Sequence, residues 1–197
     1  MQRRFVSKVS VKTRKLKLLH PVIKAWDAAI RRYIEQSDDG NVWNYRERPW
    51  VGFLAAGAWL AKGVALEEWR TQKKRSGRQA SHGRADLYIG IKGKHFDLEA
   101  KHGWWRIGGQ DLGVARIERL REQAKANTAE LTMKGSIRLP AVFASITFPK
   151  RMTENVEKEE KFKAALTHVD RQLKPAAYAY VLSSNYDRGI VLFLWRH

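Results

Sequence analysis

Three residues of this chain, Asp86, Glu99 and Lys101, have types and spacing that could do chemistry together. They lie within the segment Gly83-Arg-Ala-Asp-Leu-Tyr-Ile-Gly-Ile-Lys-Gly-Lys-His-Phe-Asp-Leu-Glu-Ala-Lys101. Two carboxylates close together repel and raise one another's pKa unless a cation lies between them. A hard divalent ion such as Mg²⁺ takes oxygen ligands and keeps several waters, so few carboxylates suffice to hold it. Such an ion lowers the pKa of water and stabilises charge growing on a phosphoryl oxygen. A neighbouring ammonium can orient that water or offset the charge.

Whether the trio meets depends on two strands and a turn. Residues 84–91 and 95–101 read as strands, in which alternate side chains share a face. Phe96, Leu98 and Ala100 then point to a core, and Asp97, Glu99 and Lys101 point away from it. Leu87, Ile89 and Ile91 form the matching apolar row, alternating with Asp86, Tyr88 and Gly90. A two-residue turn at Gly93-Lys94 pairs Lys92 with His95. That register sets Ile91 against Phe96, Ile89 against Leu98, Leu87 against Ala100 and Asp86 against Lys101. Both apolar rows then share one side, and Asp86 joins Glu99 and Lys101 on the other. A slip of one residue would bury an unpaired aspartate, which the desolvation penalty opposes.

Asp86 followed by Glu99-Ala100-Lys101 on the next strand resembles the signature of the PD-(D/E)XK nuclease superfamily. The resemblance implies that Asp86 and Glu99 ligate Mg²⁺, with Mn²⁺ as a substitute, and that Lys101 is the third catalytic residue. It also implies a restriction-endonuclease-like α/β fold, with a mixed central sheet flanked by helices in the order α-β-β-β-α-β. DNA is favoured over RNA as substrate, endonuclease action is favoured over exonuclease action, and a homodimer would suit cutting of both strands. Ala85 stands where the motif's proline would be, a substitution the superfamily commonly shows. No Gln-x-x-x-Tyr follows on the next helix, which separates the chain from RecB-like exonucleases. A further acidic residue is expected on the helix before the first strand. Glu47 is the candidate, with Glu67 and Glu68 as competitors.

Composition points to the same partner. Thirty-eight Lys and Arg against twenty Asp and Glu give a formal net charge of +18 over 197 residues, which concentrates polyanions. Nucleic acid is the polyanion expected, since each neutralised phosphate releases a counterion. Arg70, Lys73, Lys74, Arg75, Arg78 and Arg84 flank Asp86 as candidate phosphate contacts, and Trp104 and Trp105 could stack on bases. Asp97 is read as a solvated or ion-paired strand residue, and His82, His95 and His102 as polar residues without zinc-like spacing. The chain has no cysteine, which removes disulfides, thiolate zinc sites and cysteine nucleophiles, and fits a reducing, cytoplasmic setting. The longest apolar run, residues 51–61, has the length of a core helix and is too short to span a bilayer, so no membrane is expected.

The rest of the chain must supply the frame. Residues 1–19 are read as a basic N-terminal arm and 20–197 as one domain. Helices are expected at 20–36, where Val22, Trp26, Ile30 and Tyr33 recur at helical spacing, and at 49–62. A first strand is placed at 64–72 and a basic connection at 73–83. A loop at 103–110 carries Trp104 and Trp105, followed by a helix at 111–131 and a buried strand at 139–148. A charged helix at 156–173 and a strand pair, 177–184 and 190–195, end the chain.

Overall fold

The computed structural model describes residues 5–37, 42–74, 81–108, 111–132 and 135–197. Its strands are β1 (Phe5–Val11), β2 (Val64–Lys73), β3 (Ser81–Ile91), β4 (Lys94–Arg106), β5 (Ser136–Thr147), β6 (Ala177–Ser183) and β7 (Gly189–Leu194). The α-helices are α1 (His20–Gln36), α2 (Glu47–Leu60), α3 (Val114–Ala129) and α4 (Asn155–Leu173). The strands form one mixed sheet in the order β1-β6-β7-β5-β4-β3-β2. Only the β4–β5 pair is parallel; the other neighbours are antiparallel. The parallel pair is the one that needs a crossover helix, and α3 provides it.

Each face of the sheet has its own apolar layer. Leu87, Ile89, Phe96, Leu98, Leu139 and Phe143 pack under α1 and α2. Val142, Ala144, Val191, Phe193 and Trp105 pack under α3 and α4. α1 is a helix because Val22, Trp26, Ile30 and Ile34 repeat every four residues, with Pro21 in its first turn. α2 crosses it closely at Gly57. A Cβ there would lie 2.7 Å from the Val22 carbonyl oxygen and 2.8 Å from the Trp26 nitrogen, so no larger residue fits.

Three expectations need correction. Residues 5–19 are not an arm. β1 adds to the sheet edge, from Phe5 opposite Ser183 to Val11 opposite Ala177, and a 3₁₀ turn over Arg14–Leu19 buries Leu16 and Leu19. The Ser7 hydroxyl donates to Asp27 of α1 at 3.1 Å, and the Arg31 guanidinium donates to the same oxygen at 2.7 Å. The period-two signal was present in Phe5, Val9 and Val11, all packed on the α1 layer, and basic charge obscured it.

The β3–β4 hairpin turns one residue earlier than expected. Ile91 faces Lys94, so Lys92 and Gly93 are the turn, both with positive φ (48° and 70°) as a type I′ turn requires. The register therefore pairs Ile89 with Phe96 and Leu87 with Leu98. Because the offset is two residues, every side chain keeps its expected face.

Finally, residues 103–106 are not loop. β4 continues beside β5 to Arg106, and this buries Trp105 completely between Phe162 and Phe193. Its indole N–H donates to the Leu112 carbonyl at 2.9 Å. Trp105 is a core residue, not a stacking platform, because alternation along the lengthened strand turns it toward α4.

Candidate functional site

β3 and β4 stay paired for only part of their length. The ladder runs from the turn to Leu87 and Leu98, after which β4 follows β5 and β3 follows β2. Asp86 and Glu99 are the next residues beyond the last pair, at the mouth of this fork. Where the strands part, the backbone N–H of Ala100 loses its ladder partner. It donates instead to Asp86 Oδ2 at 2.7 Å. The fork thus fixes Asp86 by a backbone bond and leaves its other oxygen for other partners.

β2 is distorted at the same level. Glu67 opposes Leu87 and Trp69 opposes Ala85, so Glu68 lies opposite Asp86, and Glu68 has φ +49°. A non-glycine residue in this region is strained by about 1–3 kcal/mol and marks a place the surroundings over-determine. The consequence is a change of face. Ala65 belongs to the layer under α1 and α2, whereas Trp69, four residues on, packs against Tyr88 with ring centroids 5.4 Å apart on the opposite face. In an unbroken strand both would share one face.

That twist delivers Lys73 to the site. Its stem crosses Gly83, where a Cβ would lie 2.7–2.8 Å from Lys73 Cδ and Cγ. Its ammonium sits 2.6 Å from Glu99 Oε1, and the Glu99 side chain is 2% exposed. The end of β2 is held there by the segment that follows α3, through Lys74 N–H to the Glu130 carbonyl (2.7 Å) and Thr132 N–H to the Gln72 carbonyl (3.1 Å). Burial pushes the Glu99 carboxyl up; Lys73 pulls it back, and Asp86 adds a further upward push. Lys73 was expected to contact phosphate from a surface loop. It is instead an internal partner of a candidate catalytic carboxylate, and the signal for this was the glycine three residues before Asp86.

Lys101 lies half-buried on the Glu99 face, its Nζ donating to the carbonyl of Ala100 at 2.7 Å. Glu47, in the first turn of α2, reaches the same place. It accepts the backbone N–H of His102 and lies within electrostatic range of Lys101 and Asp86. Burial raises its pKa, Lys101 opposes that rise and Asp86 reinforces it. The competitors are placed elsewhere. Glu67 lies beside Gly52 of α2, with its carboxylate 3.6 Å from where a Cβ would be. Glu68 is exposed and ion-paired with Arg48 (3.1 Å) and Arg84 (3.6 Å).

The remaining candidates divide clearly. Arg70, Lys74 and Arg84 are exposed, and Arg75 and Arg78 lie outside the described residues. Trp104 is 44% exposed with its ring 6.1 Å from that of His102. His102 is half-buried, 2.9 Å from the Ser145 hydroxyl, and its pKa is lowered to about 4 by burial and by the charges of Arg116 and Arg46. Arg116, a residue of α3 that sequence reading passed over, lies across Gly103, 3.1 Å from the site of a Cβ. His82 and His95 are exposed, with His95 Nδ1 2.6 Å from the Tyr88 hydroxyl. Asp97, expected in solvent, is fully buried and takes the Ser136 hydroxyl.

As a donor set, Asp86 and Glu99 offer hard oxygens from adjoining strands, and Asp86 adds to the rise that burial chiefly imposes on Glu99. That suits an ion that needs few protein ligands and keeps its waters. Among the described residues no group of three or more His, Asp and Glu side chains is arranged to hold a metal. No protein-family model matches the chain, nor does any curated protein or solved structure.

Proposed function

We propose that this protein is a Mg²⁺-dependent nuclease of the restriction-endonuclease-like type, hydrolysing phosphodiester bonds in nucleic acid, with DNA favoured over RNA and endonuclease action favoured. The observation that carries the reading is the fork. Two carboxylates and an ammonium on adjoining strands, with a helix carboxylate beside them, gather where β3 leaves β4. The element order from α2 through β2, β3, β4 and α3 to β5 agrees with that fold.

Asp86 and Glu99 would hold the ion, and Mg²⁺ or Mn²⁺ there would supply Lewis-acid stabilisation of charge on the phosphoryl oxygens. The chain's own residues do the positioning. The Ala100 N–H fixes Asp86, the buried setting of Glu99 excludes competing water, and Glu47 is held by the His102 N–H within electrostatic range of Lys101. Lys101 exchanges its bond to the Ala100 carbonyl for the scissile phosphate or the attacking water. Arg70, Lys74, Arg84 and Trp104, all exposed, hold the strand outside the fork. Two copies acting together would cut both strands of a duplex, and the lack of cysteine suits action in a reducing, intracellular setting. Among the described residues no helix is long and apolar enough to cross a membrane.

The test is cleavage of mixed DNA and RNA with and without Mg²⁺, beside Asp86→Asn and Lys101→Ala. The expected result is cutting by the wild type with Mg²⁺, reduced about a thousandfold in each variant, consistent with several kcal/mol of transition-state stabilisation, while binding persists. One observation favours a second reading, a non-catalytic nucleic-acid-binding module or subunit of the same fold: Lys73 already neutralises Glu99. Tight binding with no metal-dependent cutting by the wild type would select it.

A further inference from the structure

Four separate stretches of chain bring cations to one cavity at the end of the sheet where β4 and β5 begin. The cavity has a volume of about 530 Å³, and its walls include Arg14, Lys15, Lys94, Arg138 and Arg196. Among the described residues no aspartate or glutamate side chain lines it, and Leu18 and Ile137 supply apolar wall. None of the five cations forms an ion pair with a described carboxylate. Arg138 senses Asp97, but that carboxylate is fully buried and takes the Ser136 hydroxyl from within the sheet.

Five like charges facing one concavity repel one another, and the walls focus their field into it. A mobile counter-anion would relieve that repulsion at the cavity. The volume lies in the range of small-ligand sites rather than that of a surface dimple. Three of the five cations are arginines, whose planar forks match phosphate oxygens in pairs. The catalytic fork is elsewhere. Lys94 opens β4 and Lys101 comes seven residues later, which at about 3.3 Å per residue separates them by roughly 23 Å.

We propose that this cavity is a second, phosphate-binding site, independent of Asp86, Glu99 and Lys101. Its phosphate groups come either from a nucleic-acid backbone or from a free polyphosphate ligand. Isothermal titration of the full chain with inorganic pyrophosphate, and separately with a single-stranded DNA oligonucleotide lacking terminal phosphates, tests it at fixed ionic strength against sulfate. The K15E/R196E variant changes exposed side chains only, and R138Q removes the half-buried wall charge. K161E/R171E on exposed positions of α4 matches the change in net charge.

At least one probe is expected to bind the wild type more tightly than sulfate and to lose tenfold or more affinity in K15E/R196E and in R138Q. K161E/R171E should leave that affinity unchanged. Loss confined to DNA assigns the site to a nucleic-acid backbone, and loss for pyrophosphate assigns it to a free ligand. Binding no tighter than sulfate for both probes overturns the proposal. So does an equal loss in K161E/R171E, which would make the attraction diffuse.

Discussion

β7 and β2 belong to one sheet and meet their surroundings in opposite ways. All six residues of Gly189–Leu194 are buried, because β7 lies between β5 and β6 with a helical layer on both faces. In Val64–Lys73 only Ala65 and Thr71 are buried, and the strand is an edge with a break in its alternation at Glu68. The covered half reads as an apolar run, as sheets with two covered faces do. The open half keeps polar and charged residues at Glu67, Glu68, Arg70, Gln72 and Lys73. The candidate site sits at the border, where β4 has a rigid neighbour in β5 and has lost its other neighbour to the fork. Rigid backing on one side and chemical freedom on the other are what a positioned charge cluster requires.

If that division is real, the two halves should respond differently to substitution. The largest loss of stability is expected in the covered half. Phe193→Ala removes a fully buried ring that packs on Trp105 and Trp195, and should cost about 3–5 kcal/mol in urea unfolding. A loss under 1 kcal/mol would contradict the picture of a tightly packed half.

Lys73→Met probes the border. It leaves Glu99 as a buried anion without its ammonium, which should cost about 3 kcal/mol in metal-free buffer. Mn²⁺ should restore much of this, because the ion then binds Glu99 without displacing Lys73. Thermal unfolding with and without Mn²⁺ checks both parts. A variant that melts lower and ignores Mn²⁺ would show that Lys73 is structural and that Glu99 holds no ion.

His102→Gln sharpens the comparison through pH. The folded pKa of about 4 lies below the ordinary 6.5, with burial as the main cause. Below pH 6.5 the unfolded chain takes up a proton that the folded chain refuses, so the stability contributed by neutral His102 is complete above 6.5. It is lost as pH falls toward about 4. The wild-type melting temperature should therefore drop more steeply than that of His102→Gln across this window. Parallel curves would place the imidazole in solvent.

The smallest effect is expected at the edge. Glu68→Val puts a β-branched residue into a strand, which ordinarily helps, but at φ +49° it should destabilise by about 1 kcal/mol. A gain in stability by urea unfolding would mean that β2 runs straight past Asp86.

Much of the frame is legible in the order of the residues. The periodicity of Val22, Trp26, Ile30 and Tyr33 is set by 3.6 residues per turn, and α1 follows it, with Ile34 buried more deeply than Tyr33. The alternation in Phe96, Leu98 and Ala100 put Glu99 and Lys101 together whatever the turn, since a two-residue offset preserves faces. Glu47 is the candidate for its position at a helix start, and it lies within electrostatic range of Lys101. Legibility failed where charge and pattern disagreed. Phe5, Val9 and Val11 alternate correctly, yet the basic residues around them suggested an arm.

The amino-acid order by itself determined the helices, most strand limits, the faces of β3 and β4 and the pairing of these two strands beside their turn. These are local consequences of backbone geometry and of moving apolar side chains out of water. Only the tertiary structure decided that β3 leaves β4 at Asp86, that Lys73 crosses Gly83 to reach Glu99, and that Trp105 is core while Trp104 is exposed. It also gathered Arg14, Lys94, Arg138 and Arg196 around one cavity. Contacts between residues distant in sequence depend on strand order and on where a strand bends, and neither is encoded in the spacing of side chains along one element.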